Sequence, residues 1–443
     1  MLSIARSACK LGRGPIARGS ITSLAIRAAN LALSFGLAVL TARVLGVRGY
    51  GTVAVALAIV QILATLCAFG LGSLAVREIP ALLARSAAPA ARLFVSRAAG
   101  TVVLLSLLGG AVLVLAVAAF AGTGSPMRGE LLLAAAIVVP TALLLLFRGT
   151  AQGFGRVAAA QWPSEILRPA AAIALLAGAA VLGLAVRPGD YLAGFLAVSV
   201  LSAIVAGMLS WRALPAAQAP LALAPDRAML AGAAPFLGMG LAAALQAEIN
   251  TLLLGWLASR EQAGLFQPIA KLAPLMTVAV QSAAMAYAPR VAALWQSGDR
   301  DTLVRLTRRF TLATSVATVA LVLPLVAAGP WLLAAFGPEF AQVAPLLAIV
   351  GAAQALNAAC GPVGFLLAMT GRPGAALVGQ LVGLAANVAV GLWLIPSHGA
   401  LGGAIAMALG IVLWNLTLLV RVRRELRFDP SLRAAPMRLT GAA

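Results

Sequence analysis

The sequence has few charged residues. Asp, Glu, Lys and Arg make up only 10% of its 443 residues, whereas 62% of the residues are hydrophobic. Soluble domains carry about 25% charged residues, so this composition excludes a soluble globular enzyme, and its hydrophobicity also excludes a disordered chain. The long apolar runs lack the alternation of outer-membrane barrels. The composition therefore predicts an all-α integral membrane protein.

Histidine and cysteine are also scarce, which removes most side chains used in catalysis and metal binding. His398 is the single histidine, and Cys9, Cys67 and Cys360 lie far apart in the sequence. Such cysteines match neither a disulfide framework nor a metal-ligand motif. No P-loop motif is present, and the glycine-rich segment 149–155 follows no predicted strand. We therefore expect no catalytic residue, no metal and no cofactor, and we do not expect an enzyme.

Twelve apolar segments are predicted to span a membrane, since a spanning helix needs about 20 mostly apolar residues. Seven runs contain no charge: 49–76, 98–127, 131–147, 169–186, 191–211, 310–338 and 340–371. The run 373–420 is too long for one helix and divides at the turn signal 396–399. Three further segments each hold one charge: 20–44 with Arg27, 230–258 with Glu248 and 263–287 with Lys271.

The 32 Lys and Arg residues outnumber the 12 Asp and Glu residues, and they lie mainly between the apolar runs. This pattern is typical of membrane topology rather than of nucleic-acid binding. With a cytoplasmic N-terminus, 25 cations, among them Arg148, Arg156 and Arg168, fall on the cytoplasmic side and five on the outer side. The sequence thus predicts a multi-pass protein of the cytoplasmic (inner) membrane, with both termini in the cytoplasm and no nucleic-acid partner.

A weak internal repeat divides the chain into two halves. Arg48 and Gly51, after the first span, align with Arg260 and Gly264, after the seventh, if one residue is inserted. Both halves begin on the same side, so the repeat is parallel, with its pseudo-two-fold axis along the membrane normal. The predicted regions are a basic cytoplasmic N-terminal segment (1–19), an N-terminal six-helix bundle (20–213), a cytoplasmic linker (214–228), a C-terminal six-helix bundle (229–420) and a basic cytoplasmic tail (421–443).

Glu248 and Lys271 flank one short outer turn, at depths of roughly 16 and 14 Å. Both therefore lie near the midplane of a ~30 Å hydrocarbon core. A charge there costs about 2.5–3.5 kcal/mol, so it normally faces a cavity or a partner. We expect both side chains to line a substrate cavity, with Glu248 as the candidate for ion coupling. A static buried ion pair is the alternative.

Arg27 lies near the cytoplasmic third of the first span, and Asn30 shares its helix face. An arginine in this position suits an anionic headgroup, because the planar guanidinium binds phosphate through two hydrogen bonds. Snorkelling toward the interface is the alternative.

Amide side chains form a polar seam in the seventh and eighth spans. Gln246 and Asn250 are four residues apart, as are Gln267 and Lys271, so each pair shares a face. We expect the seam to bind sugars. The alternative is that these amides form hydrogen bonds that hold neighbouring helices together.

Several segments carry a resemblance to a known family. They are 42–51, 69–79, 148–156, 252–255, 263–266, 289–290 and 298–300. Together they resemble the Wzx-type polysaccharide-unit flippases of the multidrug/oligosaccharidyl-lipid/polysaccharide exporter superfamily. The resemblance implies a V-shaped pair of six-helix bundles around a central cationic cavity, lined by helices 1, 7 and 8. It also implies that an isoprenoid-pyrophosphate-linked oligosaccharide moves from the inner to the outer leaflet.

Three alternative functions are weighed against this resemblance, two within the superfamily and one outside it. A multidrug cation/H⁺ or Na⁺ antiporter is disfavoured, because Arg27, Lys271 and Glu248 together carry a net charge of +1. The charge of these residues does not exclude a lipid II flippase. A scaffold or polymerase subunit is disfavoured by the short outer loops. The expected partners are a lipid-linked glycan, membrane lipids and, in the same lipopolysaccharide or exopolysaccharide pathway, a glycan polymerase and glycosyltransferases.

Overall fold

The structure, a computed structural model, describes residues 15–120, 127–214 and 224–432. These residues form helices joined by short turns, and no strand occurs within the described ranges. The contacts divide the chain into two compact units, 1–244 and 245–443. The N-terminal segment 1–14, most of the predicted linker and the tail beyond Leu432 lie outside the described residues.

Seven helices and most of an eighth belong to the first unit: α1 (Pro15–Ala68), α2 (Leu71–Ala84), α3 (Ala88–Phe120), α4 (Arg128–Gly153), α5 (Val157–Trp162), α6 (Arg168–Val181), α7 (Pro188–Trp211) and α8 (Arg227–Leu257). A π-helical turn, Pro163–Leu167, joins α5 to α6. The boundary between the units falls inside α8, after Ala244. The first turns of α8 pack into the core of the first unit through Met229 and Ala233.

The second unit contains the end of α8 and seven further helices: α9 (Arg260–Met276), α10 (Val278–Ser297), α11 (Arg300–Ala327), α12 (Gly329–Ala334), α13 (Ala344–Cys360), α14 (Val363–Met369) and α15 (Pro373–Leu426). A 3₁₀ turn, Pro338–Val343, precedes α13. Its core is built around buried side chains of α10, α11, α14 and α15, including Val291, Leu303, Leu366 and Val422.

Ten helical segments of the described ranges are long and apolar enough to cross a membrane. Two of them contain a break, at Gly46 and at Gly399, where φ is 67° and 51°. Only glycine adopts such positive φ values readily, so a single residue divides each segment into two helices. Counting each broken segment twice gives the twelve predicted spans. The break at Gly399 also confirms the turn predicted at 396–399.

The predicted boundaries of the fifth span are wrong. The helical span covers Val157–Val181, whereas the sequence indicated 169–186. Arg168, assigned above to the cytoplasmic side, therefore lies about 16 Å from the first residue of this span. The charge-free criterion failed because a charged residue inside a bundle can be neutralised by a neighbouring helix.

Glycines allow α2 and α4 to approach closely. A Cβ atom on Gly149 would overlap the carbonyl oxygen of Gly72, and one on Gly153 would lie 2.7 Å from the carbonyl oxygen of Ala75. Gly149 and Gly153 form the GxxxG spacing that permits backbone contact between membrane helices. The glycine-rich segment noted in the sequence is therefore a packing element in this structure.

The chain after α15 folds back against the second unit. The Thr311 hydroxyl donates a hydrogen bond of 2.8 Å to the carbonyl of Pro430, and the amide of Leu432 donates one of 3.0 Å to the carbonyl of Ala359. Asp429 pairs with Arg423 at 2.6 Å. The part of the predicted tail that the structure describes is thus helix as far as Leu426 and then a docked segment.

Candidate functional site

Arg27 and Asn30 lie near the beginning of α1. Arg27 is exposed, and none of the ion pairs found among the described residues involves it. The Asn30 Oδ1 atom accepts a hydrogen bond of 2.9 Å from the hydroxyl of Ser34. The Arg27 guanidinium and the Asn30 side-chain NH₂ group are N–H donors, and such donors suit an anionic ligand.

Glu248 in α8 and Lys271 in α9 lie on either side of the turn at Ser259, whose hydroxyl accepts a hydrogen bond of 3.1 Å from the amide of Gln262. At 1.5 Å per residue they are about 14 and 17 Å from the ends of their helices at this turn. Glu248 is half-buried, Lys271 is exposed, and an electrostatic interaction connects them. Their charged atoms do not form an ion pair within 4 Å. The structure thus brings the two groups near each other without a closed salt bridge.

The predicted amide seam divides into two kinds of residue. The buried Gln267 side chain donates a hydrogen bond of 2.8 Å to the hydroxyl of Thr251, and this bond links α9 to α8. The Gln246 Oε1 and Asn250 Oδ1 atoms are buried and accept no hydrogen bond in the part of the chain described. A buried acceptor without a donor costs about 1–3 kcal/mol. Gln267 therefore holds two helices together, whereas Gln246 and Asn250 retain acceptors for a hydroxyl group or water.

The first unit contains a charged cluster that was not predicted from the sequence. Arg148 of α4 forms an ion pair of 2.7 Å with Glu165, whose side chain is 9% exposed. The second carboxylate oxygen of Glu165 is buried and has no hydrogen-bond partner among the described residues. The guanidinium of Arg168 lies 5.6 Å from the ring centroid of Phe195. Its positive charge is repelled by that of Arg148. This cluster places three ionisable groups among apolar helices.

Helical spacing was the signal that would have revealed this cluster. Gln161, Glu165 and Arg168 are separated by four and three residues, a spacing that predicts one shared face on a regular α-helix. Gln161 and Glu165 are both buried. The predicted fifth span began after Arg168, so Gln161 and Glu165 fell outside it and their spacing was not considered.

The π-helical turn that carries Glu165 has a local cause. Pro169 lacks the N–H that would bond to the carbonyl of Glu165, and its ring would clash with that carbonyl in a regular helix. The chain responds with a wider turn, in which the amide of Arg168 bonds to the carbonyl of Pro163. Such π-helical turns are frequent at functional sites.

These groups offer charge together with hydrogen-bond donors and acceptors. Among the described residues, no three His, Cys, Asp or Glu side chains come together to hold a metal ion. In the second unit, Lys271 offers a cation, and Gln246 and Asn250 offer amide acceptors. These groups suit a ligand that has an anionic group and hydroxyl groups. In the first unit, Arg27 and Asn30 offer N–H donors.

Solved structures with a similar fold are membrane transporters. A multidrug resistance MATE family transporter of the MOP superfamily, in an inward-facing conformation, aligns with a TM-score of 0.72 and 14% identity, over 92% of this chain and 98% of the transporter. The lipid II flippase MurJ, in an inward closed conformation, aligns with a TM-score of 0.70 and 14% identity, over 91% and 87% of the two chains.

A MOP superfamily transporter from Pyrococcus furiosus Vc1 (DSM3638), in which reverse polarity of the binding pocket suggests a different function, aligns with a TM-score of 0.61 and 15% identity, over 93% and 95% of the two chains. No curated protein sequence matches the chain. At these identities the similarity establishes the fold alone, which is that of the MOP superfamily transporters. The protein is therefore a multi-pass membrane protein.

A family model provides more specific evidence, because it matches residues 16–295 and so covers more than half of the sequence. This region contains every candidate site residue named above, from Arg27 to Lys271. The chain belongs to the polysaccharide biosynthesis protein family.

Proposed function

We propose that this protein is a flippase that moves an isoprenoid-pyrophosphate-linked oligosaccharide from the inner to the outer leaflet by alternating access. It acts in the cytoplasmic membrane, with both termini in the cytoplasm. Family membership supports a role in polysaccharide synthesis, and the fold supports transport. A glycan polymerase and glycosyltransferases of the same pathway are the expected partners.

The observation that carries this proposal is the presence of two exposed cations within apolar spans. Neither Arg27 nor Lys271 takes part in an ion pair among the described residues. Lys271 lies near the middle of its span, where a charge is costly, and Arg27 lies near the beginning of the first span. A pyrophosphate group supplies a negatively charged partner for these two cationic side chains. A cationic drug provides none, so the same residues argue against a multidrug antiporter.

The buried acceptors suit the glycan part of the substrate. Gln246 Oε1 and Asn250 Oδ1 accept no hydrogen bond from the described residues, and sugar hydroxyls are donors. Placing sugar hydroxyls against these oxygens removes the cost of leaving buried acceptors unsatisfied. In this proposal the hydroxyl groups contact Gln246 and Asn250 of α8, and the pyrophosphate contacts Lys271 of α9 in the same unit.

Glu248 is the candidate for ion coupling, because it is a half-buried carboxylate without a closed salt bridge. Replacement by glutamine removes its titration and keeps its shape. We expect Glu248→Gln to abolish the stimulation of transport by a pH gradient while leaving slow, gradient-independent flipping. Stimulation equal to that of wild type would exclude Glu248 from coupling.

The direct test is flipping of a fluorescent undecaprenyl-pyrophosphate sugar in proteoliposomes. A hydrogen bond between charged groups contributes about 1.5–3 kcal/mol, so Arg27→Ala and Lys271→Ala should each reduce the initial rate by about tenfold or more. Arg85→Ala is the matched control, because Arg85 is exposed in the turn between α2 and α3.

Two further substrates distinguish the alternatives. Flipping of lipid II at a similar rate would assign the protein to peptidoglycan precursors, since both substrates carry a pyrophosphate. Efflux of a cationic dye by folded wild-type protein that flips neither lipid would overturn the proposal.

A further inference from the structure

A groove in the first unit is lined by none of the proposed substrate residues. It is bounded by α3, α4 and α7 and encloses about 650 Å³. Leu143 and Phe147 of α4 line it, as do Ile204 and Met208 of α7. Ile204 and Met208 are each 54% exposed. The groove is therefore an open apolar channel along the side of the unit.

One end of the groove is cationic. Trp211 and Arg212, at the end of α7, line it there. The guanidinium of Arg92, from α3, lies 5.1 Å from the ring centroid of Trp211. Arg212 is exposed and belongs to none of the ion pairs found in the described ranges. Tryptophan and arginine at the end of a spanning helix are typical of the level of the lipid headgroups.

The length of the groove matches one leaflet. Its lining on α7 runs from Val200 to Arg212, which is twelve residues or about 18 Å of helix. Half of the ~30 Å hydrocarbon core is about 15 Å. The groove thus extends from the headgroup level to near the midplane, which is the distance that one acyl chain covers.

The groove is built into the packing of α7 on α4. Gly207 has no side chain where the ring of Phe147 approaches, and a Cβ atom there would lie 3.2 Å from that ring. One turn further on, the hydroxyl of Ser210 donates a hydrogen bond of 3.1 Å to the carbonyl of Phe147. The small residue and the hydrogen bond together define the shape of the groove.

We propose that this groove is a specific site for one anionic phospholipid of the leaflet in which Arg212 lies. An acyl chain occupies the apolar channel, and the phosphate contacts Arg212. The combination of an apolar channel one leaflet long with an arginine at its mouth matches a lipid that carries negative charge. None of the groove residues belongs to the set proposed for the transport substrate.

The test is native mass spectrometry of the purified full-length protein, equilibrated with equal amounts of phosphatidylglycerol and phosphatidylcholine that have identical acyl chains. Wild type should retain phosphatidylglycerol preferentially. Because one basic residue near an anionic surface contributes about 1 kcal/mol, Arg212→Gln should reduce this preference about fivefold. Met208→Trp and Gly207→Leu, which fill the groove, should reduce retention of both lipids.

Two matched controls separate the groove from general effects. Arg156→Gln removes an exposed arginine elsewhere, and Gly178→Leu adds bulk on α6, where a Cβ atom meets nothing within 4 Å. Both controls should retain lipid as wild type does. Met208→Trp changes an exposed side chain, so it tests the groove even if Gly207→Leu does not fold.

Equal retention of the two lipids by wild type would overturn the proposal, as would unchanged retention in Arg212→Gln and Met208→Trp. Displacement of phosphatidylglycerol by an equal amount of undecaprenyl phosphate would also overturn it, because the groove would then hold the isoprenoid chain of the substrate. All three results are independent of flipping activity.

Discussion

Single residues decide how the chain after α15 docks on the second unit. Asp429 accepts hydrogen bonds from the Ser431 amide at 2.9 Å and from Arg423 at 2.6 Å. Partial burial raises the pKa of this carboxyl, but the bonds from Ser431 and Arg423 outweigh burial and hold the pKa below its ordinary value of 3.8. A depressed pKa means that the carboxylate stabilises the docked segment at neutral pH.

We expect Asp429→Asn to loosen this segment. The stabilisation is present above the ordinary pKa near 4 and is lost as the pH falls through the depressed value. The carboxylate is partly exposed, so its contribution is about 1 kcal/mol. Hydrogen exchange of the Leu432 amide should therefore be about fivefold faster in the variant at pH 7, with a smaller difference below pH 4. Asp301→Asn, at an exposed position in α11, is the control, and equal exchange in wild type and Asp429→Asn would contradict this role.

The Arg148–Glu165 pair allows a second residue-level test. Arg148→Gln leaves a carboxylate that is 9% exposed without its counter-ion, and leaving such a buried group unsatisfied costs about 1–3 kcal/mol. Thermal unfolding in detergent should show this loss. The double variant Arg148→Gln/Glu165→Gln should recover part of it, because no buried charge remains uncompensated. If the two single effects simply add, the pair is not coupled. Arg156→Gln serves as the control for removal of an arginine.

At the scale of helices, backbone contact between α2 and α4 depends on glycine. A methyl group at position 149 meets the main chain of Gly72, which cannot rotate away as a side chain would. Overpacking of this kind costs about 1–3 kcal/mol or more. Gly149→Ala should lower the unfolding temperature and the yield of folded protein. Gly129→Ala, near the start of the same helix, meets nothing within 4 Å and should behave as wild type. Equal stability of the two variants would show that the helices separate without cost.

The helices also show where local sequence patterns mislead. The spans were predicted from charge-free runs, and this criterion located α4 and α7 well, whereas α3 begins at Ala88, ten residues before its predicted run. It failed for the span Val157–Val181, because Glu165 is neutralised by Arg148 from another helix. It also could not reveal that Gln267 bonds to Thr251, which requires α8 and α9 to be packed together.

For the whole molecule, the open prediction is orientation. Cys67 and Cys360 are buried, so a water-soluble thiol reagent should not label them. After Cys9 is replaced by serine, single cysteines can be introduced at exposed turn positions. Ser86→Cys lies between α2 and α3 on the predicted cytoplasmic side, and Ala185→Cys lies before α7 on the outer side. A membrane-impermeant thiol reagent should label Ala185→Cys in intact cells and Ser86→Cys only after permeabilisation. The opposite result would reverse the predicted topology.

The sequence by itself determined that this protein is helical, that it lies in a membrane and where most of its helices are, because hydropathy and turn chemistry are local properties. It also identified Glu248 and Lys271 as costly charges, since their positions within spans follow from counting residues. Only the tertiary structure decided that Glu248 and Lys271 do not form a closed salt bridge. It also decided that Arg148 pairs with Glu165 and that a groove ends at Arg212. Those features depend on distances between residues remote in the chain, which only the packing of helices sets.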